Sequence, residues 1–203
     1  MMRVQMLLSL GLVLASYLVG SLSSAVLICR VIGAPDPRES GSGNPGATNV
    51  LRSAGKAAAA ATLLGDIAKG VVPVLLAKHF DLVPWVVGGC ACAAFLGHLF
   101  PVFFGFRGGK GVATFTGVLF ALAPLMGAAF CAIWLTTAAI FRYSSLAALL
   151  ATAAAPLVGL ALGLPGAITG ALVIMASAIF WRHRANISRL IAGTESRIGK
   201  PKV

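Results

Sequence analysis

Polar and charged positions do not alternate with apolar ones along this chain; they interrupt long apolar runs. Breaks at charge, proline and glycine predict apolar segments at roughly 6–29, 57–77, 84–104, 111–123, 125–141, 145–163 and 166–181. Each is read as a helix, because a backbone in lipid must satisfy its hydrogen bonds within the segment. The stretch 111–141 is long for one crossing and short for two, and Pro124 and Gly127 in its middle predict a break there. The expected fold is therefore an all-α integral membrane protein, with residues 1–203 forming a single seven-span domain.

The first segment resembles a signal peptide, with Arg3 ahead of an apolar stretch. Yet Val4 to Ile28 is of span length, and the bulky Ile28 stands before Cys29 where lipoprotein processing needs a small residue. A retained first span is expected.

Composition strengthens this picture. Of 203 residues, 59% are hydrophobic and 10% charged, against about 25% charged in soluble domains. Mean hydropathy is +0.95. A chain this short cannot enclose so much apolar surface in one water-soluble core, so the bilayer is its solvent. Cys29, Cys90, Cys92 and Cys131 lie in or at the end of apolar runs and read as small buried residues. No histidine stands at zinc-ligand spacing from them.

Charge sets the orientation. The net charge is +11, from 16 Lys and Arg against 5 Asp and Glu. With seven spans, one set of loops holds Arg30, Arg38, Arg52, Lys56, Arg107, Lys110, Arg142 and the tail's Arg182, Arg184, Arg189, Arg197, Lys200 and Lys202. The opposite set holds only Arg3 and Lys78. The N-terminus is therefore expected outside and the C-terminus in the cytoplasm. The cytoplasmic segments fall at about 30–56, 105–111 and 182–203. Such cations suit anionic phosphate groups at a membrane better than nucleic acid, because there is no soluble basic domain.

Three cytoplasmic segments carry the candidate chemistry. In the first, Gly41, Gly43 and Gly46 let backbone N–H groups turn toward an anion, and Ser42, Asn44, Thr48 and Asn49 add neutral polar groups. A helix beginning near Pro45 would place Thr48 and Arg52 on one face, with Arg52 offering a planar fork to phosphate. The alternative is a flexible solvated turn. In the second, Gly108, Gly109 and Gly111 surround Lys110 and open a helix, which suits a phosphate cradle. It is not a nucleotide-binding P-loop: Phe104 occupies the first glycine position, and Gly111 stands where Ser or Thr is required. A snorkelling lysine at a span end is the competing reading of Lys110. In the third, a helix would put His183 and Asn186 on one face, within what could also be a basic juxtamembrane helix binding lipid headgroups.

Charged groups inside the spans need their own account. Asp66 and Lys69 lie three residues apart in the second span, and read first as a structural ion pair, second as an aid to orienting the site. His98 has Phe103 five residues on, where a histidine–aspartate acyltransferase dyad needs Asp, so a packed histidine is expected.

The segments GSGNPGATNVLR (41–52), GHLFPVFFGFRGGKGVAT (97–114) and HRANISRLIAGTE (183–195) together strongly resemble the bacterial acyl-phosphate:glycerol-3-phosphate acyltransferase family. They stand in that family's order, and the likeness covers essentially the whole chain. The resemblance implies an enzyme of phospholipid biosynthesis, multi-pass in the bacterial inner membrane with its site on the cytoplasmic side. Its reaction would move an acyl group from acyl phosphate to the 1-hydroxyl of glycerol 3-phosphate, yielding 1-acyl-glycerol 3-phosphate (lysophosphatidic acid) and phosphate. By matching position, Ser42, Arg52 and Lys110 would be polar and cationic site residues. Gly108, Gly109 and Gly111 would form the phosphate loop, and His183 and Asn186 would hold the glycerol part. The expected partners are the two substrates and membrane lipids, with no cofactor, no metal and no nucleic acid, and a monomer is the working expectation.

Overall fold

Proline and glycine set most of the element boundaries. A computed structural model describes residues 2–199, which fold entirely as helices and loops. Lys200 and Lys202 of the basic tail lie outside the described residues. The helices are α1 (Met2–Gly20), α2 (Ser24–Val31), α3 (Ala47–Ser53), α4 (Gly55–His79), α5 (Pro84–Leu99), α6 (Val112–Leu122), α7 (Pro124–Phe141), α8 (Ser144–Ala161), α9 (Gly166–Arg182) and α10 (Arg184–Ile191). A 3-10 turn, Val102–Phe104, follows α5. Pro84 and Pro124 stand at the starts of α5 and α7, where a missing backbone N–H costs nothing. The break expected at Pro124 is present, with Ala123 extended between α6 and α7.

Two expectations about the spans need correction. The first apolar segment is not one helix but two, α1 and α2, interrupted over residues 21–23. Gly20 packs so tightly on α5 that a Cβ there would collide with the Ala94 carbonyl. At the interruption, the Leu22 carbonyl accepts a hydrogen bond from Lys69 Nζ at 2.8 Å. The segment 111–123, in turn, yields a helix of only 11 residues. At 1.5 Å per residue α6 extends ~16 Å, about half the hydrocarbon thickness. Among the described residues, five helical segments are long and apolar enough to cross alone: α1, α4, α5 with its 3-10 extension, α7 and α8. A sixth arises if α9 and α10, bent by 58° at their junction, count together.

Packing is set by small residues, as suits helices that gain no hydrophobic drive from lipid. Helices α4 and α6 approach until Gly70 lies on the Thr114 carbonyl and Gly117 on the Ile67 carbonyl, with no room for a Cβ at either. The main core runs through α4 to α9, with Phe95, Phe115, Leu119, Leu172 and Met175 buried in it. Phe115 meets Phe95 and Phe130 edge-on, at centroid distances of 6.4 and 5.9 Å. A second cluster, Ala25, Cys29, Val50, Ala58 and Ala59, ties α2 and α3 to the start of α4. Leu7, Leu10 and Leu14 of α1 point outward, each more than 60% exposed, as a lipid-facing surface would.

Candidate active site

The first loop is fastened before it reaches the site. Arg38 donates to both Asp36 oxygens and, through Nη1, to the Phe104 carbonyl at 3.1 Å, so this loop is tied to the second segment. That side-chain hydrogen bond from Arg38 holds the Asp36 carboxyl below its usual range. Asn49 closes the loop: Nδ2 donates to the carbonyls of Pro37 and Ser40, and Oδ1 accepts from the Ser42 N–H. The sequence offers Asn49 as a free donor to an anion, but its amide hydrogens are taken up by the loop. The helix expected near Pro45 starts at Ala47. It carries Thr48 and Arg52 one turn apart, both exposed at the cavity.

The second segment is clamped from the tail. Arg182 donates through Nε to the Gly109 carbonyl at 3.0 Å and through Nη2 to the Gly108 carbonyl at 2.7 Å. Gly111, at φ +87°, turns the chain into α6. Lys110 projects into the cavity and donates to Asn186 Oδ1 at 2.5 Å. Burial lowers the Lys110 pKa to about 8; the Glu195 carboxylate opposes this, and Arg189, Arg182 and Arg52 add to it.

The third segment supplies the polar centre. His183, 3% exposed at the bend between α9 and α10, lies 2.8 Å from the Ile179 carbonyl through Nδ1. A carbonyl only accepts, so Nδ1 carries the proton and Nε2 keeps a free lone pair. Burial pulls the His183 pKa down to about 4, against the Ile179 hydrogen bond, with Lys110 the leading cation. The sequence suggests Arg182 and Arg184 as the source of that depression. Arg182 contributes last, and Arg184 lies over the Trp181 ring at 5.0 Å instead.

Glu195 is the residue the sequence reading passes over. Its Oε1 accepts from Asn186 Nδ2 at 2.6 Å and Ser145 Oγ at 2.7 Å, and its Oε2 accepts from Arg189 Nε at 2.6 Å. Burial alone would raise its pKa, but these donors outweigh burial and lower it. A signal was present, since an acid inside a strongly basic tail implies a specific partner. Ser145 carries no such signal. Beyond Glu195 the tail is latched to the α7–α8 corner: Arg142 Nη2 donates to the Ile198 carbonyl, the Ile198 N–H to the Arg142 carbonyl, and Arg197 Nε to Tyr143 OH.

These elements enclose a cavity of about 410 Å³, within the range of small-molecule sites. Ser42, Asn44, Gly46, Thr48, Asn49, Arg52, Lys110, Gly111, His183 and Asn186 line it. Gly41, Gly43, Gly108 and Gly109 belong to the same loops but are not among the lining residues. Ile67, Phe130, Trp134 and Leu135 give it an apolar flank, which Cys131 joins. Asp66 and His98 are also in its wall, His98 being buried as expected of a packed histidine. Cations, a neutral imidazole lone pair and an apolar wall together suit an amphiphile with a phosphate head.

Known proteins match this chain along nearly its whole length. The family model described as glycerol-3-phosphate acyltransferase matches residues 10–193. The glycerol-3-phosphate acyltransferase of Thioalkalivibrio sulfidiphilus is 55% identical over 194 residues, covering 96% of each chain. That of Halorhodospira halophila is 56% identical over 188 residues, covering 93% of this chain and 95% of the relative. Among solved structures, PlsY (YgiH), an integral membrane glycerol 3-phosphate acyltransferase, is similar in two forms. Its glycerol 3-phosphate form superposes with a TM-score of 0.90 at 42% identity, over 94% of this chain and 96% of that one. Its lysophosphatidic acid form gives 0.88 at 41%, over 94% and 95%. This chain is thus a multi-pass integral membrane protein that belongs to the glycerol-3-phosphate acyltransferase family.

Proposed function

We propose that the protein transfers an acyl group from acyl phosphate to the 1-hydroxyl of glycerol 3-phosphate, releasing lysophosphatidic acid and inorganic phosphate. The observation that carries this reading is the convergence of Arg52, Lys110, His183 and Asn186, from three distant segments, on one cavity with an apolar flank. Both substrates bring phosphate, and Arg52 and Lys110 are the anchors for it. Ser42, Asn44 and Thr48 add neutral contacts, with the Gly111 backbone beside them; the N–H groups of Gly43, Gly46 and Gly109 are taken up by the carbonyls of Ser40, Asn44 and His98, and Gly41 and Gly108 shape the loops behind the wall. Asn49 acts by holding the first loop closed. The acyl chain lies along Phe130, Trp134 and Leu135.

His183 and Asn186 hold the glycerol part. The 2-hydroxyl donates to His183 Nε2, which turns the 1-hydroxyl oxygen toward the acyl carbon. A bond forms from that oxygen to the carbonyl carbon, the bond from the carbonyl carbon to the phosphate oxygen breaks, and the hydroxyl proton passes to a phosphate oxygen. A phosphate with a second pKa of about 6 is a stronger base than an imidazole at about 4. Positioning and charge stabilisation therefore supply most of the rate. No cofactor or metal has a role in this scheme.

The charge of the basic segments 30–56, 105–111 and the tail from 182 supports a site on the cytoplasmic face of a bacterial inner membrane, with the N-terminus outside. The one domain keeps seven membrane segments, α6 being a short one beside α4. The test is purified protein in detergent, given acyl phosphate and glycerol 3-phosphate without metal or nucleotide. Lysophosphatidic acid and phosphate should appear in equal amounts. Product formed only from an acyl thioester would overturn the donor assignment.

A further inference from the structure

Three buried polar side chains, two of them (Asp66 and His98) in the cavity wall, have no part in the reaction scheme. Asp66 and Lys69 of α4 are 3% and 5% exposed, and Lys69 Nζ stands 2.8 Å from Asp66 Oδ1. His98, in the last turn of α5, places Nδ1 3.7 Å from the same oxygen. The ion pair is close but not aligned as a hydrogen bond, and Asp66 Oδ1 has no hydrogen-bond donor. Replacing a buried ion pair with apolar groups of similar size is often neutral or stabilising, so stability alone is a weak reason to keep one. Ionisable residues inside a membrane segment are costly and point to function.

The contacts of this cluster lead to both phosphate-holding loops. Lys69 Nζ donates to the Leu22 carbonyl, at the interruption between α1 and α2. Helix α2 leaves that interruption and packs Ala25 and Cys29 with Val50 of α3, the helix that carries Arg52. On the other side, the His98 carbonyl accepts the Gly109 N–H at 3.2 Å. The His98 ring lies flush against Gly109, so a Cβ on that glycine would strike Nε2. Gly109 immediately precedes Lys110.

We propose that Asp66 is a positioning residue: by holding Lys69 against the α1–α2 interruption and His98 against the glycine loop, it sets the spacing between Arg52 and Lys110. This rests on the reading of those two cations as phosphate anchors. A single Asp66→Asn change would leave Lys69 unpaired, so the informative variant is Asp66→Asn/Lys69→Met, which removes both charges and keeps volume. Its thermal unfolding midpoint should stay close to that of the parent protein. KM for glycerol 3-phosphate should rise about 10–100-fold, the scale of a misplacement near 1 Å, with a much smaller change in kcat. KM and kcat both within about twofold of the parent would overturn the proposal, as would a loss confined to kcat.

His98→Ala, which removes the ring beneath Gly109 while keeping the backbone contact, should raise the same KM and decides the matter if the double variant does not fold. A readout free of turnover separates this proposal from the functional one. Spin labels at Ser53→Cys and Arg107→Cys, in a background without the four native cysteines, report the distance between the loops. That distance distribution should shift or broaden in the Asp66→Asn/Lys69→Met protein. An unchanged distribution refutes the positioning role, whereas an inactive parent protein with a shifted distribution refutes only the assigned reaction.

Discussion

The pH dependence of Lys110 offers a sharp test, because activity and stability should move in opposite directions. Burial brings the ammonium from 10.5 to about 8 in the folded protein. At roughly 1.4 kcal/mol for each pH unit, that drop is ~3 kcal/mol in favour of the neutral amine. Between about pH 8 and 10.5 the unfolded chain binds the extra proton, so this group makes the fold more stable as pH rises through that window. The site, however, needs the ammonium for phosphate. We therefore expect kcat/KM for glycerol 3-phosphate to fall about tenfold for each pH unit above about 8. In kcat the break should move upward, since a bound phosphate dianion stabilises the ammonium. Steady-state assays of product release in mixed detergent micelles, from pH 6 to 10, would measure both profiles alongside the thermal midpoint. The control is Lys110→Arg, whose guanidinium does not titrate: it should lose activity through altered geometry and lose the break as well. An active Lys110→Arg enzyme that still breaks near pH 8, or a parent profile flat to pH 9.5, refutes the assignment.

Arg52→Ala should weaken phosphate handling by ~1.5–3 kcal/mol, seen in KM, with Arg52→Lys a poor rescue, in the same assay. His183→Asn, which keeps a donor and an acceptor, should retain substantial turnover with most of its loss in KM. Turnover as low as in His183→Ala with unchanged KM would make His183 the base, at the cost of ~10²–10⁴-fold expected for one. Glu195→Gln should loosen Asn186, Ser145 and Arg189 together, lowering the thermal midpoint and raising KM in parallel. A cysteine at position 42 should resist a membrane-impermeant reagent applied to intact cells, and rapid labelling there would defeat the proposed orientation.

The apolar runs, their proline punctuation and the three polar segments were legible because each is a local pattern. The break before α7 needed only Pro124 and Gly127. The interruption at Leu22 was hidden because its neighbours are compatible with helix, and what takes up the free carbonyl lies 47 residues away, at Lys69. The extent of α6 was legible, since the segment 111–123 becomes Val112–Leu122, opened by Gly111 at positive φ. In the site, the residue types at 52, 110, 183 and 186 announced cation and imidazole chemistry. Asn49 misled because a loop-closing amide and a ligand-binding amide have the same composition. Burial, the leading cause of the depressed His183 pKa, depends on the packed fold and has no local pattern.

The latch between the tail and the α7–α8 corner also places the site in time. Ser42 and Arg52 leave the ribosome early, yet the cavity has no far wall until Asn186, Glu195 and Ile198 have emerged and found Lys110, Ser145 and Arg142. Closure of the cavity therefore waits for the tail, and a nascent chain stalled before residue 186 would hold its glycine loops without their partner. Synthesis itself would thus act as a timer: until the tail emerges, the proposed site is incomplete.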